Sequence, residues 1–409
     1  MKPQQFKMKD FIYDLPESKI AKYPLADRDS SKLLVYQDGK ITDDSYRNLD
    51  KFLPLNSLII FNNTKVIQAR LIFTTSTGAK VEIFCLEPSE ANAEISTAMV
   101  KTGSVMWKCM VGRLVKWTDK TLSLQTTSFT LHATIAERQG NTFVIKFDWQ
   151  PADITFANIL EQFGAIPIPP YLKRQQEVID TTRYQTVYAE QKGSVAAPTA
   201  GLHFTPHVFE QLKLINTQIE YLTLHIGAGT FKPVSSQTIE GHEMHAEWIE
   251  VEITTIEKIC QQVSKKSKDN SVIAVGTTSL RTIETLYWMG VKAHANSNIT
   301  IHEIAIKQWD AYELQQNLSA FESLTSLLQW LNKNKINKLI CKTQILIVPS
   351  YKLRIADALI TNFHQPSSTL LLLIAAIVGD DWKTIYQYAL NKDFRFLSYG
   401  DGSLLFNKL

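Results

Sequence analysis

Two textures of apolar and polar positions run along the chain. Between residues 71 and 149 short pieces alternate strictly: Phe143, Ile145, Phe147 and Trp149 keep step with Leu131, Ala133 and Ile135 across a turn at Gln139-Gly140-Asn141. That period of two is the mark of a half-buried antiparallel hairpin. Elsewhere the apolar runs are continuous, at residues 33–36, 58–61 and 272–275, as in strands covered on both faces, and a further strand is expected over 219–226. The first of these ends at an Asp38-Gly39 turn with a hairpin partner expected from Ile41. Helical spacing appears in Phe156, Leu160 and Phe163, with Asp153 as the expected cap and Gly164 as the stop. Further helices are expected from Pro206 to about Leu214, from Arg281 to Met289 with Gly290 as terminator, and over the amphipathic span 320–331. The pattern predicts a mixed α/β main domain, discontinuous over residues 1–70 and 150–409. An inserted antiparallel β-barrel-like domain is expected at 71–149, with no catalytic constellation of its own.

Composition narrows the class without choosing a function. The 409 residues, 44% hydrophobic and 20% charged, suffice for two or three ordinary globular domains. A formal charge of +3 neither requires nor excludes nucleic acid, because local patches decide that. The four cysteines have no CxxC spacing, which fits a reducing compartment and neither a disulfide framework nor a zinc site. No signal-like run opens the chain, and the longest apolar run, 370–378, falls short of the ~20 residues that span a bilayer. A cytoplasmic protein with no membrane contact is expected.

The chemistry-bearing residues gather in a few stretches. In DTTRYQTVYAEQKGSVAAPTAGLHFT, residues 180–205, Arg183, Tyr184 and Gln185 supply a cation, an aromatic ring and an amide. The small residues around Thr199 and Gly201 let a backbone come close to a partner; His203 and Phe204 follow. His225 precedes Gly227-Ala228-Gly229-Thr230, but that loop leads to Phe231-Lys232-Pro233 rather than a helix, which rules out a dinucleotide-binding fingerprint. HEMHAE, residues 242–247, offers His242 and His245 without a third metal ligand at usual spacing, so acid–base or polar contact is expected there and no metal. Gly276-Thr277-Thr278-Ser279 opens a helix carrying Arg281. Free N–H groups at such a start suit a carboxylate or other anion, or a simple cap.

Those stretches resemble the S-adenosylmethionine:tRNA ribosyltransferase-isomerase family of queuosine biosynthesis. Further matches run in family order: DFIYDLP, RDSSKLL, FNNTKVIQARL, GAIPIPPYLKR, TLHIGAGTFKPV, VGTTSLRTIE, DALITNFHQPSSTLLLL and FRFLSYGDGSLLF. The resemblance implies transfer and isomerisation of the ribosyl part of S-adenosylmethionine onto a 7-aminomethyl-7-deazaguanine base in a tRNA anticodon loop. Epoxyqueuosine forms, and adenine and methionine leave. S-adenosylmethionine is then a co-substrate with no separate cofactor, and a monomer is expected. The chain departs from the family pattern at Asn63 (usually Asp), Gln344 (Asp), Ser350 (Gly), Gln365 (Leu) and Ser367 (Lys), and residues 291–342 resemble an insertion. Two alternatives stay open: a diverged relative that binds tRNA or a nucleoside without isomerising, and a metal-assisted hydrolase built on the histidines.

The implied reaction needs a base beside the sulfonium, an acid for the departing adenine and alignment of the partners. His203, His225, His242 and His245 are the candidates for proton transfer, with Asp401 and Glu247 as carboxylate partners. Arg183, Tyr184, Gln185 and Arg281 suit binding and orientation. Thr199, Gly201, Gly229, Thr230, Thr277, Thr278, Asn362 and Tyr399 complete the expected substrate contacts. Phe204 is expected to stack on a base, and the stiff segment 166–171 to present Tyr171 and Arg174.

Overall fold

The computed structural model describes residues 5–89, 95–227, 238–265, 267 and 269–408. A nine-stranded mixed sheet forms the frame. From one edge its strands are Lys338–Thr343, Glu247–Glu252, Gln218–Leu224, Leu58–Asn62, Val272–Val275, Ala358–Asn362, Gly402–Phe406, Lys32–Gln37 and Lys40–Ser45. The four from Gln218–Leu224 to Ala358–Asn362 run parallel, and antiparallel pairs flank them. Alternation along the central strands explains the layering. Leu34, Tyr36, Leu58, Ile60, Val272 and Ala274 face one apolar layer, and their neighbours Leu33, Val35, Ile59, Phe61, Ile273 and Val275 face the other. Helices Ile253–Ser264, Thr277–Ala295, Ala320–Lys333 and Thr369–Val378 cover the first face; Pro206–Leu214 and the 3₁₀ segment Tyr46–Phe52 cover the second.

A seven-stranded antiparallel sheet takes up almost all of the span with period-two alternation. Its order is Gly164–Ala165, Arg70–Thr74, Lys80–Pro88, Ser104–Gly112, Thr142–Gln150, Thr130–Gln139 and Leu122–Gln125. It curls, so that Arg70–Thr74 approaches Leu122–Gln125 near the opposite edge. Helix Phe156–Phe163 plugs the concave face: the Phe156 ring lies 5.0 Å from Trp107, 5.5 Å from Phe147 and 5.7 Å from Trp149. The helix starts two residues later than the sequence suggests, because Thr155 caps it, accepting from Asn158 N, and not Asp153.

The expected short helix before Gly290 is instead one long helix, Thr277–Ala295, with Gly290 inside it. A Cβ there would lie 2.1 Å from the carbonyl oxygen of Ser323. The glycine is thus set by the crossing of helix Ala320–Lys333 and not by a chain stop. Residues 291–342 join the main frame, through Leu324, Leu327, Trp330 and Leu331 in its core and through edge strand Lys338–Thr343. Arg174 is not presented outward: its guanidinium grips Asp180 through two 2.7 Å hydrogen bonds, and Asp180 is fully buried. Tyr171 is likewise engaged, its hydroxyl bonded to Ser398 Oγ.

Candidate active site

Parallel strands expose their carboxyl ends to whatever follows them in the chain, and in open α/β sheets ligands bind there. Here those ends carry Asn62, His225 one residue past Leu224, the Gly276-Thr277 helix start and Asn362. Asn62 stitches three of them together. Its Nδ2 donates to Leu224 O at 3.0 Å and Thr278 Oγ1 at 3.3 Å, and its Oδ1 accepts from the backbone N–H groups of Leu224 and Thr64, each at 3.1 Å.

Over this end lies the 3₁₀ turn Thr199–His203, held by packing too tight for any side chain at Gly201, where a Cβ would meet Tyr188 Oη at 1.9 Å. His203 is buried, stacks on Tyr46 with ring centroids 4.4 Å apart, and sits 3.3 Å by Nε2 from Asn362 Nδ2. Burial pushes its pKa down to about 3, so the ring is neutral at physiological pH. A shallow cleft reaches His203 from outside, lined by Arg28, Ser31, Arg183, Leu202, Ser398 and Tyr399 among others. Arg28 closes one wall by donating to the carbonyls of Gln185, Leu202 and Thr182.

A second group stands beside the first. His225 Nε2 is 3.1 Å from Glu250 Oε1, its Nδ1 is 3.3 Å from Thr64 Oγ1, and all three side chains are buried. Burial opposes ionisation of Glu250, yet the bonds from His225 and Lys338 outweigh it and hold the carboxyl down at about 2. Near the helix start, buried Arg281 pairs with Glu247 through Nη1 and donates from Nε to Ile345 O at 3.2 Å. Three buried polar atoms in these groups lack a partner: Asn362 Oδ1, Arg281 Nη2 and Tyr46 Oη. Such orphans are uncommon in native interiors and call for an explanation.

The remaining sequence candidates divide. Thr277 and Thr278 lie half-buried at the helix start and Thr199 half-buried at the 3₁₀ turn. Arg183 donates to the carbonyls of Leu25 and Ala26, with Nε unpartnered. Gln185 clips the Val66 backbone through both ends of its amide, at 3.0 and 2.7 Å. Tyr184 is buried edge-on against Tyr399, whose hydroxyl donates to Asp180 at 2.8 Å. Asp401 is buried and receives Lys32 N, Arg395 N and Arg395 Nη2, which ties two strands and a turn. Phe204 corrects the stacking expectation: its ring is fully buried among Phe61, Phe209 and Tyr46, so it packs as a wall and offers no face to an incoming base. His242 is half-buried in a loop, its pKa lowered by burial and by His245, while His245 is exposed. Among the described residues no hydrogen bond or ring contact joins these two to His203 or Asn362. Gly229 and Thr230 lie outside the described residues. Among the described residues there is also no group of three metal-ligating side chains and no helix long and apolar enough to cross a membrane.

Sequence reasoning passed over Tyr46, Asn62, Thr64 and Glu250. Only Glu250 left a signal, a carboxylate between Ile249 and Val251 in strand Glu247–Glu252.

Fold and site together define a mixed α/β protein whose buried polar groups converge at the carboxyl ends of parallel strands, the arrangement of an enzyme for a small polar ligand. The chain matches the family described as Queuosine biosynthesis protein over residues 8–405, and it belongs to that family. It is 36% identical to an S-adenosylmethionine:tRNA ribosyltransferase-isomerase of Francisella tularensis subsp. mediasiatica, across 98% of this chain and 100% of that one. The protein of the same description from Legionella pneumophila is also 36% identical, over 97% and 98% of the two chains. A crystal structure from Thermotoga maritima, described as an S-adenosylmethionine tRNA ribosyltransferase, is 26% identical over 97% of this chain and 99% of that one, with a TM-score of 0.46.

Proposed function

We propose that this protein is a transferase-isomerase that moves the ribosyl part of S-adenosylmethionine onto the 7-aminomethyl-7-deazaguanine base of a tRNA anticodon and rearranges it to epoxyqueuosine. Adenine and methionine are released. The observation that carries the reading is end-to-end similarity to relatives named for this reaction, in a chain that keeps unpartnered buried atoms of Asn362 and Arg281 near the carboxyl ends of its parallel strands. S-adenosylmethionine is a co-substrate, and the chain's own side chains do the proton work.

The site suggests a division of labour. The methionine carboxylate of the donor meets the start of helix Thr277–Ala295, where Thr277, Thr278 and the free Arg281 Nη2 supply donors. Asn362 Oδ1 and neutral His203 take the purine side, since an amide oxygen accepts from an exocyclic amine. The proton of the carbon beside the sulfonium is assigned to His225, whose Nε2 is oriented by Glu250 and whose Nδ1 meets Thr64 Oγ1. Arg183 and Tyr399 border the outer cleft through which the base enters. The curled sheet at 71–149, with its own apolar core, is read as an inserted barrel-like domain within the catalytic one.

Incubation of the purified protein with S-adenosylmethionine and precursor-bearing tRNA tests this directly. Adenine release with the matching nucleoside mass is expected. Bound tRNA without either product would replace the enzyme by a binding relative.

A further inference from the structure

The curled sheet carries cations at one end that the reaction does not use. Two turns meet there. In the first, residues 75–79, Gly78 N donates to Thr75 O at 2.9 Å. The second follows Ser104–Gly112: Arg113 sits at φ 57° and opens the 3₁₀ turn Leu114–Lys116. Asp119 staples the turns together, accepting from Ser76 N at 2.8 Å and Ser76 Oγ at 2.6 Å. The acid is thereby spent on the staple. Lys80, Arg113, Lys116 and Lys120 are exposed, and among the described residues none has an ion-pair partner. Elsewhere on the same sheet Arg70 pairs with Glu82, Lys108 with Glu87 and Lys146 with Asp148, while Arg138 turns back onto the Gly140 carbonyl and the Phe143 ring. Lys80, Arg113 and Lys116 line an open groove together with Val115, which is 90% exposed.

A rigid rim of unmatched cations around an open groove fits a flexible polyanion better than a single small anion, which would need convergent donors. The rim also lies within reach of the site. Strand Thr64–Val66 pairs with Gln191–Ser194 just below the His225 group, and the chain from Val66 to Thr74 spans at most ~26 Å at ~3.3 Å per residue. A tRNA whose anticodon base occupies the site extends well beyond that distance.

We propose that the Lys80, Arg113, Lys116 and Lys120 rim holds the phosphodiester backbone of the RNA substrate, fixing its stem while the anticodon base enters the site at the carboxyl ends of the parallel strands. The proposal rests on the ribosyl-transfer reading for the identity of the RNA. Contacts of this kind carry no base information; they contribute affinity and its salt dependence.

The test compares the full-length wild type with the triple variant Lys80→Ala, Arg113→Ala, Lys116→Ala, using tRNA bearing the deazaguanine precursor at several salt concentrations. Loss of three phosphate contacts is expected to weaken binding about tenfold and to flatten the log–log salt slope by about 2.7. Turnover at saturating tRNA should stay within about twofold, because the reacting groups are untouched. An unchanged dissociation constant and slope overturns the proposal, as does reduced turnover at unchanged affinity. Lys116→Glu alone, on an exposed turn, repeats the measurement if the triple variant does not fold. Wild type that binds tRNA with the expected slope yet releases no adenine refutes the reaction and leaves the docking surface standing.

Discussion

The two sheets bury different things. Among the described residues from Arg70 to Gln150, Thr75 is the one buried side chain that is polar or charged, and the core is Trp, Phe, Leu, Ile, Val and Cys. The nine-stranded frame buries Asp180, His203, His225, Glu250, Arg281, Glu284, Asn362 and Asp401. A buried polar group costs free energy unless it is fully bonded, so a fold concentrates such groups where they serve architecture or recognition. The interior of the curled sheet is apolar, and its charged side chains pair at the surface, as Arg70 does with Glu82 and Lys146 with Asp148. The frame carries both fully satisfied groups, such as Glu284, and unsatisfied ones, such as Asn362.

Glu284 offers the largest effect that separates those two kinds. It accepts from the backbone N–H groups of Arg354, Ile355 and Ala356 and from the Tyr351 hydroxyl. Glu284→Ala strands four donors, each worth ~1–3 kcal/mol, so a loss of about 5 kcal/mol is expected by urea unfolding. A loss near 1 kcal/mol would mean that water replaces the carboxylate, and the frame would then be wetter than its burial indicates. Asn362→Ala should do the reverse. Its Oδ1 has no partner and its Nδ2 meets only His203, so about 1 kcal/mol of stability is lost, while kcat/KM for adenine release falls about a hundredfold, or ~2.7 kcal/mol. Phe147→Leu in the curled sheet supplies the contrast: about 1 kcal/mol of stability and unchanged kcat/KM. Altered turnover in that variant would couple the sheets and dissolve the distinction.

Acid sensitivity belongs to the frame as well. His203 and His364 are both depressed to about 3 by burial, from an unfolded value near 6.5. The unfolded chain therefore binds more protons between those limits, and stability falls as pH drops from about 6.5 towards 3. Glu250, held at about 2, adds a loss below about 4.5 as it becomes protonated. His203→Gln should flatten the upper part of that profile in melting-temperature measurements across pH 4.5–6.5. An identical profile in the variant would place the acid sensitivity elsewhere.

Much of the fold was legible because apolar periodicity reports which face of a segment is covered. The hairpin 130–150, strand Val272–Val275 and helix Pro206–Leu214 fall close to where the pattern puts them. The site was less legible, for a physical reason. His203 meets Asn362 across 159 positions and Asn62 meets Leu224 across 162, and no local pattern encodes such pairings. Residue type also says nothing about whether a polar group is already bonded. Gln185 and Asp401 look like ligand-binding residues in sequence, yet each is occupied by backbone N–H or carbonyl groups. Gly290 looks like a helix end and proves to be a crossing point.

Asn63 gives the smallest effect and the finest test of how the polar edge is tuned. The family resemblance puts an aspartate there, and the missing charge is one of the departures that suggest a diverged relative. In the structure Asn63 is half-buried, and its Oδ1 accepts from Thr223 Oγ1 at 2.7 Å. An aspartate oxygen accepts the same bond, so the hydrogen-bonded geometry does not depend on which residue is present. The backbone of Asn63 is fixed independently, by its N–H to Leu222 O at 3.0 Å and by Glu190 N on its carbonyl at 2.8 Å. What remains is a partly solvated charge, ordinarily worth within ~0.5 kcal/mol. Asn63→Asp is therefore expected to change kcat/KM by less than about threefold, which corresponds to ~0.65 kcal/mol. A tenfold rise would show that a negative charge at this strand end acts on the reacting sulfonium through space, and that the edge works by its field as well as by its unpartnered donors and acceptors.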